Sequence, residues 1–348
     1  MRIIILVFLI ALTISLSSTP WVRRFAFWAG FVDNPQQRKL HTRPMPLLGG
    51  LAIIAGAFLA VMLLFMVDLP QLQADSVRGA LLASTVVALV GLLDDRYELP
   101  PRGKYVGLII GFAILVFFDI RVKLPLPEIV NYLITFVWVI GISNAINFQD
   151  NMDGLSAGLS AVSASFIMLI ASINGQFLVS GLAAAVLGGT LGFLRYNFKP
   201  AQIFMGDTGA LFLGFLLAVM GLQLRFEDNV NFVTWMVPIF ILGMPIFDMC
   251  LVVFSRLRRG VSPATAGKDH TSHRLVRLGF TQREAVLILY LVAGIFGMVA
   301  LFITQADVLE GYAVGILSAG LGAAAIWWLD KRPEIRNATN LVPPQQES

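Results

Sequence analysis

Apolar stretches long enough to cross a lipid bilayer recur along almost the whole 348-residue chain. A crossing helix needs about 20 apolar residues, and shorter runs can cross when interfacial residues extend them. Only 13% of the residues are charged, against about a quarter in soluble domains. We therefore predict an all-α, polytopic membrane protein with about 11 transmembrane helices. The apolar cores lie at 3–16, 47–67, 80–93, 106–118, 129–142, 155–173, 177–194, 210–224, 232–254, 285–303 and 312–329.

Basic residues are divided unevenly between the two sides that these stretches define. Of the 25 Lys and Arg residues, 20 fall on one side, and the other side holds Arg2, Arg78, Arg121, Lys123 and Arg225. Lys and Arg accumulate on the cytoplasmic side, so we expect the N-terminus outside and the C-terminus inside. The first stretch also looks like a secretory signal, but this orientation requires it as an uncleaved span. We expect one membrane domain over residues 1–330 and a disordered cytoplasmic tail, rich in Pro and Gln, over 331–348.

Two adjacent carboxylates, Asp94 and Asp95, end the third apolar stretch. The C-terminal end of a helix already carries partial negative charge, so the pair is unfavourable there without a positive group nearby. One interpretation is that the pair only marks the boundary with water. A hard divalent cation such as Mg²⁺, which binds carboxylate oxygens, explains the doubled placement better.

A second polar motif consists of Asn144, Asn147, Asp150 and Asp153, which recur at every third position. Residues three apart share a helix face. At about 100° per residue, however, the first and last of the row would stand on opposite sides of one straight helix. The row can serve one site only if the helix ends within it, and Asp153-Gly154 supplies a break. We predict that the asparagines end the fifth stretch and that the aspartates lie in a turn; the alternative is an ordinary polar loop.

A third acidic motif, FMGDTG at Phe204 to Gly209, precedes the eighth stretch. It places Asp207 at a helix N-terminus, where aspartate is also an ordinary N-cap. The free backbone N–H groups and flanking glycines of such a position also suit a phosphate group. This motif falls on the same predicted cytoplasmic face as the other two.

All three histidines, His41, His270 and His273, lie in basic loops on that same face, at 38–50 and 255–281. Zinc binding is a weak alternative, because no cysteine is near and only two imidazoles are close in sequence. Cations and imidazoles opposite acidic motifs are typical of a phosphate-binding site. Asp248 is the only acid well inside an apolar stretch, which makes it a functional candidate without an evident role.

Together the motifs resemble the polyprenyl-phosphate N-acetylhexosamine-1-phosphate transferases over about residues 38–281. The family's Lys-x-His-x-x-x-x-Pro-x-x-Gly-Gly loop is matched by Lys39, His41, Pro46, Gly49 and Gly50. Its Asp-Asp pair and phosphate-binding lysine are matched by Asp94, Asp95 and Lys104. Its Asn-x-x-Asn-x-x-Asp-x-x-Asp-Gly row is matched by Asn144, Asn147, Asp150, Asp153 and Gly154. Its metal-binding Phe-x-Gly-Asp-x-Gly motif is matched by Phe204, Gly206, Asp207 and Gly209.

The resemblance implies transfer of a sugar-1-phosphate from a UDP-sugar to a polyprenyl phosphate, with release of UMP, as the first membrane step of cell-envelope glycan synthesis. It implies Asp207 as the ligand of Mg²⁺, with Mn²⁺ as an alternative ion. The implied catalytic residues are Asp94, Asp95 and Lys104. The implied substrate-binding residues are Lys39, His41, Asn144, Asn147, Asp150, Asp153, His270, His273 and Arg274.

The last histidine motif separates the family's subgroups. The peptidoglycan enzyme, phospho-MurNAc-pentapeptide translocase, has three consecutive histidines, whereas this chain reads KDHTSHRL. We therefore expect UDP-GlcNAc as the donor, at the cytoplasmic face of the inner membrane, and keep the translocase as the alternative. A homodimer stays open. A secondary transporter is the alternative from another class, but transporters usually place paired ionisable groups at mid-bilayer.

Overall fold

The computed structural model describes residues 2–33, 44–62, 71–226, 231–263, 265 and 267–332. The helices of these residues are α1 (Arg2–Ala29), α2 (Gly49–Met62), α3 (Gln71–Tyr97), α4 (Pro101–Phe117), α5 (Glu128–Phe148), α6 (Leu155–Ile173), α7 (Phe177–Asn197), α8 (Gly206–Gln223), α9 (Asn231–Thr234), α10 (Met236–Ile241), α11 (Gly243–Arg258), α12 (Thr271–Arg277), α13 (Gln282–Ile303) and α14 (Val308–Lys331). Two short strands, β1 (Val32–Asp33) and β2 (Met45–Pro46), pair antiparallel. Lys39, His41 and most of the predicted tail lie outside the described residues.

The prediction of an all-α, polytopic membrane protein is confirmed. Within the described residues, 8 helices are long and apolar enough to cross a membrane. They are α1, α3, α5, α6, α7, α8, α13 and α14. The three other predicted stretches correspond to α2, to α4 and to the run from α9 to α11. The count of eleven crossings and the orientation stay predictions.

The predicted stretch at 232–254 is wrong as a single helix, because turns at Trp235 and at Leu242 interrupt the helix. Proline has no backbone N–H to donate and its ring displaces the carbonyl four residues earlier. Pro238 and Pro245 lie three residues after the two interruptions, so Thr234 and Ile241 cannot receive the usual helical bonds. The interruptions divide this part of the chain into α9, α10 and α11.

Helix α8 is the centre of the bundle, with 94% of its most apolar window buried. It packs against α3, α5 and α2. At the other extreme, only 6% of the corresponding window of α14 is buried, as expected for a helix that faces lipid. The first turn of α8, which carries Asp207, is therefore surrounded by other helices.

The segment before α8 is held in place by the β2–α2 connection. Phe204 N donates to Pro46 O at 2.8 Å, and Gly49 N donates back to Phe204 O at 2.9 Å. Gly50 N donates to Met205 O, also at 2.9 Å. These backbone hydrogen bonds join the glycine motif at the start of α2 to the FMGDTG motif at the start of α8.

Candidate active site

The N-terminus of α8 is capped by Asp95 from the end of α3. One carboxylate oxygen of Asp95 accepts from Asp207 N at 2.8 Å, and the other accepts from Thr208 N at 3.0 Å and Thr208 Oγ1 at 2.6 Å. A carboxylate at this position satisfies free helical N–H groups and is stabilised by the helix dipole. Both oxygens of Asp95 thus hold α8, and the side chain of Asp207 is fixed relative to α3.

Asp94, Lys104, Asn147 and Asp207 meet beside this cap. Lys104 Nζ lies 2.8 Å from Asp94 Oδ2 and forms a second, shorter ion pair with Asp207 Oδ2. Asn147 Nδ2 donates to the other oxygen of Asp207 at 2.9 Å. We call these four side chains the acid–lysine cluster; they come from α3, α4, α5 and α8. All are partly exposed, so the cluster is open to a ligand.

The pKa of Asp150 reports the negative charge around the cluster. It lies in the turn after α5, outside the spans. Burial, together with the negative charges of Asp207 and Asp95, raises the pKa of Asp150 to about 8. A carboxyl with this pKa is mostly protonated near pH 7, so its raised pKa reports the negative charge of the acids around it. A ligand that carries positive charge would offset that charge.

The row of asparagines and aspartates is divided as the sequence predicts. Helix α5 ends at Phe148, so Asn144 and Asn147 are helical and Asp150 and Asp153 lie in the following turn. The structure does not bring the whole row together at the cluster, however. Asn144 Nδ2 donates to Ile140 O within its own helix. Asp153 Oδ2 accepts from Ala201 N at 3.0 Å, which ties the turn to the segment before α8.

The loop with the two described histidines lies against the same turn. Ser272 Oγ donates to Asn151 Oδ1 at 2.7 Å, and the rings of His270 and Phe148 are 6.0 Å apart, edge to face. Burial and the neighbouring His270 lower the pKa of His273 to about 4. The imidazole of His273 is therefore neutral near pH 7 in the protein without substrate, and its contact with a phosphate stays a prediction.

Arg274 was predicted to bind substrate, but its guanidinium is buried and bonded inside the protein. Nε donates to Asp269 O, Nη1 to Leu329 O and Nη2 to Ser255 Oγ, at 2.8 to 2.9 Å. These contacts fasten the start of α12 to the ends of α11 and α14. The geometry thus gives Arg274 a structural role, and its predicted contact with a phosphate stays a prediction.

Comparison with known proteins gives the family. A model described as "Glycosyl transferase family 4" matches residues 77–225, a range that contains the whole acid–lysine cluster. A Bacillus subtilis protein named "Probable undecaprenyl-phosphate N-acetylglucosaminyl 1-phosphate transferase" is 36% identical over 315 residues, covering 88% of this chain and 86% of the relative. The chain belongs to the polyprenyl-phosphate N-acetylhexosamine-1-phosphate transferase family.

Other members of this family are similar over most of their length. The decaprenyl-phosphate N-acetylglucosaminephosphotransferase of Mycolicibacterium smegmatis is 32% identical, covering 85% of this chain and 80% of the relative. The undecaprenyl-phosphate alpha-N-acetylglucosaminyl 1-phosphate transferase of Yersinia pestis is 27% identical, covering 80% and 78%. All three relatives carry GlcNAc-1-phosphate transfer in their names, which supports that subgroup of the family over the peptidoglycan subgroup.

Sequence reasoning missed the group that anchors the histidine loop. Arg256 forms a bidentate ion pair with Asp269, and Arg259 Nη2 makes a third contact with Asp269 Oδ2 at 2.7 Å. Because of these hydrogen bonds, the pKa of Asp269 lies well below its usual range, against the opposing effect of burial. The preference of Lys and Arg for the cytoplasmic ends of membrane spans already explains both arginines. Their sequence positions therefore did not indicate an ion pair with Asp269. The one available signal was an acid directly beside His270.

The side chains of the acid–lysine cluster are suited to bind Mg²⁺, the metal ion that the family resemblance implies. Among the described residues, no three His, Cys, Asp or Glu side chains already surround one point. Mg²⁺, however, needs only one or two protein carboxylates when substrate phosphates and water complete its octahedral shell. Asp94 and Asp207 supply two such carboxylates, both bound to the movable ammonium of Lys104. The oxygen-rich donor set is of the kind that Mg²⁺ prefers.

Proposed function

We propose that this protein transfers GlcNAc-1-phosphate from UDP-GlcNAc to a polyprenyl phosphate, giving polyprenyl-pyrophosphate-GlcNAc and UMP. The observation that carries the proposal is the acid–lysine cluster at the start of α8, where side chains from three motifs of the family meet. The names of the relatives support GlcNAc and a polyprenyl phosphate as the two substrates.

The reaction must bring two anions together, so charge compensation and positioning dominate its catalysis. The acceptor phosphate attacks the β-phosphorus of the donor, the bond from this phosphorus to the bridging oxygen breaks, and UMP leaves with that oxygen. Asp207, with Asp94, would hold a Mg²⁺ ion that offsets the charge of the donor diphosphate. Lys104 Nζ, which lies between these two carboxylates, would then be free to bind a phosphate oxygen.

The acceptor needs little help to become a nucleophile. The second pKa of a phosphate monoester is near 6, so most of the acceptor is fully ionised at neutral pH. A general base is therefore not required, and we assign Asp94 to positioning Lys104 and the metal. Asp95 holds the helix that carries Asp207 and takes no direct part, because both of its oxygens are bonded to α8.

We place the reaction at the cytoplasmic face of the cell membrane. The support is the excess of basic residues on the side that also holds the acid–lysine cluster and the histidine loop. UDP-sugars are cytoplasmic metabolites of high charge, so a site on this face meets its donor without a transport step.

The test uses the purified full chain in lipid nanodiscs with undecaprenyl phosphate and Mg²⁺, and measures release of UMP from a set of UDP-sugars. We expect UMP from UDP-GlcNAc only when the acceptor lipid is present. Release from UDP-MurNAc-pentapeptide but not from UDP-GlcNAc would assign the chain to the peptidoglycan subgroup. Uptake of a solute into vesicles without any UMP would favour transport instead.

A further inference from the structure

Asp248 is a buried carboxylate on α11 that has no role in the reaction mechanism given above. Its side chain is 1% exposed. One oxygen lies 2.7 Å from His270 Nδ1, and the other accepts from Thr271 N at 2.6 Å. An isolated carboxylate inside a membrane protein is costly. The hydrogen bonds from both of its oxygens to the start of α12 offset the cost of burying Asp248.

These two contacts fix the protonation pattern of the His270 ring. An ionised carboxylate only accepts hydrogen bonds, so Nδ1 of His270 is the donor to Asp248. The tautomer of an imidazole is set by the hydrogen bond that one of its nitrogens makes. Nδ1 is used in this way, so Nε2, on the opposite edge of the ring, is the nitrogen left for a ligand.

The surroundings of His270 leave Asp248 as its direct charged partner. Asp269, the residue before it, is bound by Arg256 and Arg259. His273, whose ring centre is 6.1 Å away, is neutral near pH 7. From α5, the contact is the uncharged ring of Phe148.

His270 is linked to the acid–lysine cluster through the end of α5. Phe148, which packs against its ring, directly follows Asn147. The amide of Asn147 is bonded to Asp207. A ligand that binds at Asp207 and extends along the turn after α5 therefore comes to the edge of the imidazole.

We infer that Asp248 is a positioning residue for the transfer reaction: it holds the His270 ring with Nδ1 as donor, so that Nε2 is presented to the donor substrate. The inference rests on the proposed function for what His270 binds, but the geometry of the Asp248–His270 pair stands apart from it. Removing a carboxylate that orients an imidazole commonly costs about 10- to 100-fold at metal sites, and a loss of that size in kcat is expected here.

The first experiment observes the ring itself. The chain has only 3 histidines, so ¹⁵N-histidine labelling of the full protein in nanodiscs gives a simple spectrum, and the signals that vanish in His270→Gln belong to His270. We expect wild-type Nδ1 to be protonated. In Asp248→Asn, the amide oxygen is needed by Thr271 N, so the NH₂ group faces Nδ1 and the proton should move to Nε2. An unprotonated Nδ1 in the wild type would overturn the inference, whatever the variant does.

The second experiment measures kcat and KM for UDP-GlcNAc in Asp248→Asn, His270→Gln and the double variant. We expect kcat to fall about 10- to 100-fold in Asp248→Asn, with a much smaller change in KM. Adding Asp248→Asn to His270→Gln should cause no further loss, because one residue acts through the other. The matched control is Cys250→Ala, an exposed position two residues along the same helix, which should leave both the spectrum and kcat unchanged.

The outcomes separate this inference from the proposed function. If the wild type releases no UMP from UDP-GlcNAc while Nδ1 is protonated, the proposed function fails and the pairing stands. Losses that multiply in the double variant would show that Asp248 acts on the fold and not through His270. An unchanged tautomer and rate in a folded Asp248→Asn would refute the inference directly.

Discussion

At the scale of single residues, the adjacent acids Asp94 and Asp95 have different tasks. Neighbours on a helix point about 100° apart, so the two side chains meet different partners. Asp95 accepts three hydrogen bonds from the start of α8, whereas Asp94 faces Lys104. The sequence predicted that the pair is functional but could not assign separate roles. The partners of Asp95, Asp207 and Thr208, lie more than a hundred positions further along the chain.

A matched pair of variants tests this division. Asp95→Asn leaves one acceptor oxygen where three donors are now bonded, so we expect a lower melting temperature and a loss of about 1–3 kcal/mol for the unsatisfied groups. Asp94→Asn should keep the melting temperature of the wild type and lose transfer activity. Thermal unfolding in detergent and release of UMP measure the two effects. If Asp94→Asn lowered the melting temperature and Asp95→Asn lost only activity, the roles assigned to the two residues would be reversed.

Asp207 is the residue on which the proposed metal chemistry would depend. Asp207→Asn keeps the size of the side chain but replaces an anionic ligand with a neutral amide. We expect a folded protein with transfer slower by about a thousandfold, or about 4 kcal/mol of transition-state stabilisation. The measurement is UMP release at several Mg²⁺ concentrations. A rate near that of the wild type, with undiminished dependence on Mg²⁺, would contradict the assignment.

At the scale of elements, glycines set how closely the helices approach the start of α8. A Cβ atom on Gly91 of α3 would lie 2.5 Å from Asp207 O, and one on Gly50 of α2 would lie 2.3 Å from the backbone of Gly209. Both distances are too short for any larger side chain. The sequence predicted the helices from their hydrophobic lengths, but these contacts depend on the mutual packing of distant helices and carry no local pattern. The helix breaks on either side of α10, by contrast, could have been predicted from the positions of Pro238 and Pro245 alone.

Replacing Gly91 tests whether this close approach matters for the site. Gly91→Ala should push α3 away from Asp207, and we expect both a lower melting temperature and slower UMP release. Gly141→Ala is the matched control, because a Cβ there meets nothing within 4 Å. Alanine favours a helix over glycine by about 1 kcal/mol, so the control should be as stable as the wild type or more so. Equal effects of the two variants would show that the contact at Gly91 is unimportant.

At the scale of the whole molecule, the lengths of the apolar stretches predicted the architecture, whereas the packing of the helices assembles the candidate site. Each of the eleven predicted stretches overlaps a helix or a run of short helices. The acid–lysine cluster draws side chains from α3, α4, α5 and α8 to the end of the most buried helix. Such convergence could be expected only from the resemblance of the motifs, because no single motif indicates which others it meets. The orientation of the bundle decides which substrates can reach this cluster.

The distribution of 20 basic residues against 5 predicts that the C-terminus and the site face the cytoplasm. Cys250 is the only cysteine, so Cys250→Ala gives a background in which Ser348→Cys or Asn174→Cys is the sole thiol. Asn174 is exposed in the turn between α6 and α7, on the predicted outer side. A membrane-impermeant maleimide should label Asn174→Cys in intact cells and Ser348→Cys only after permeabilisation. If intact cells showed the opposite labelling, the site would face outward, away from cytoplasmic UDP-sugars, and the proposed transfer could not take place there.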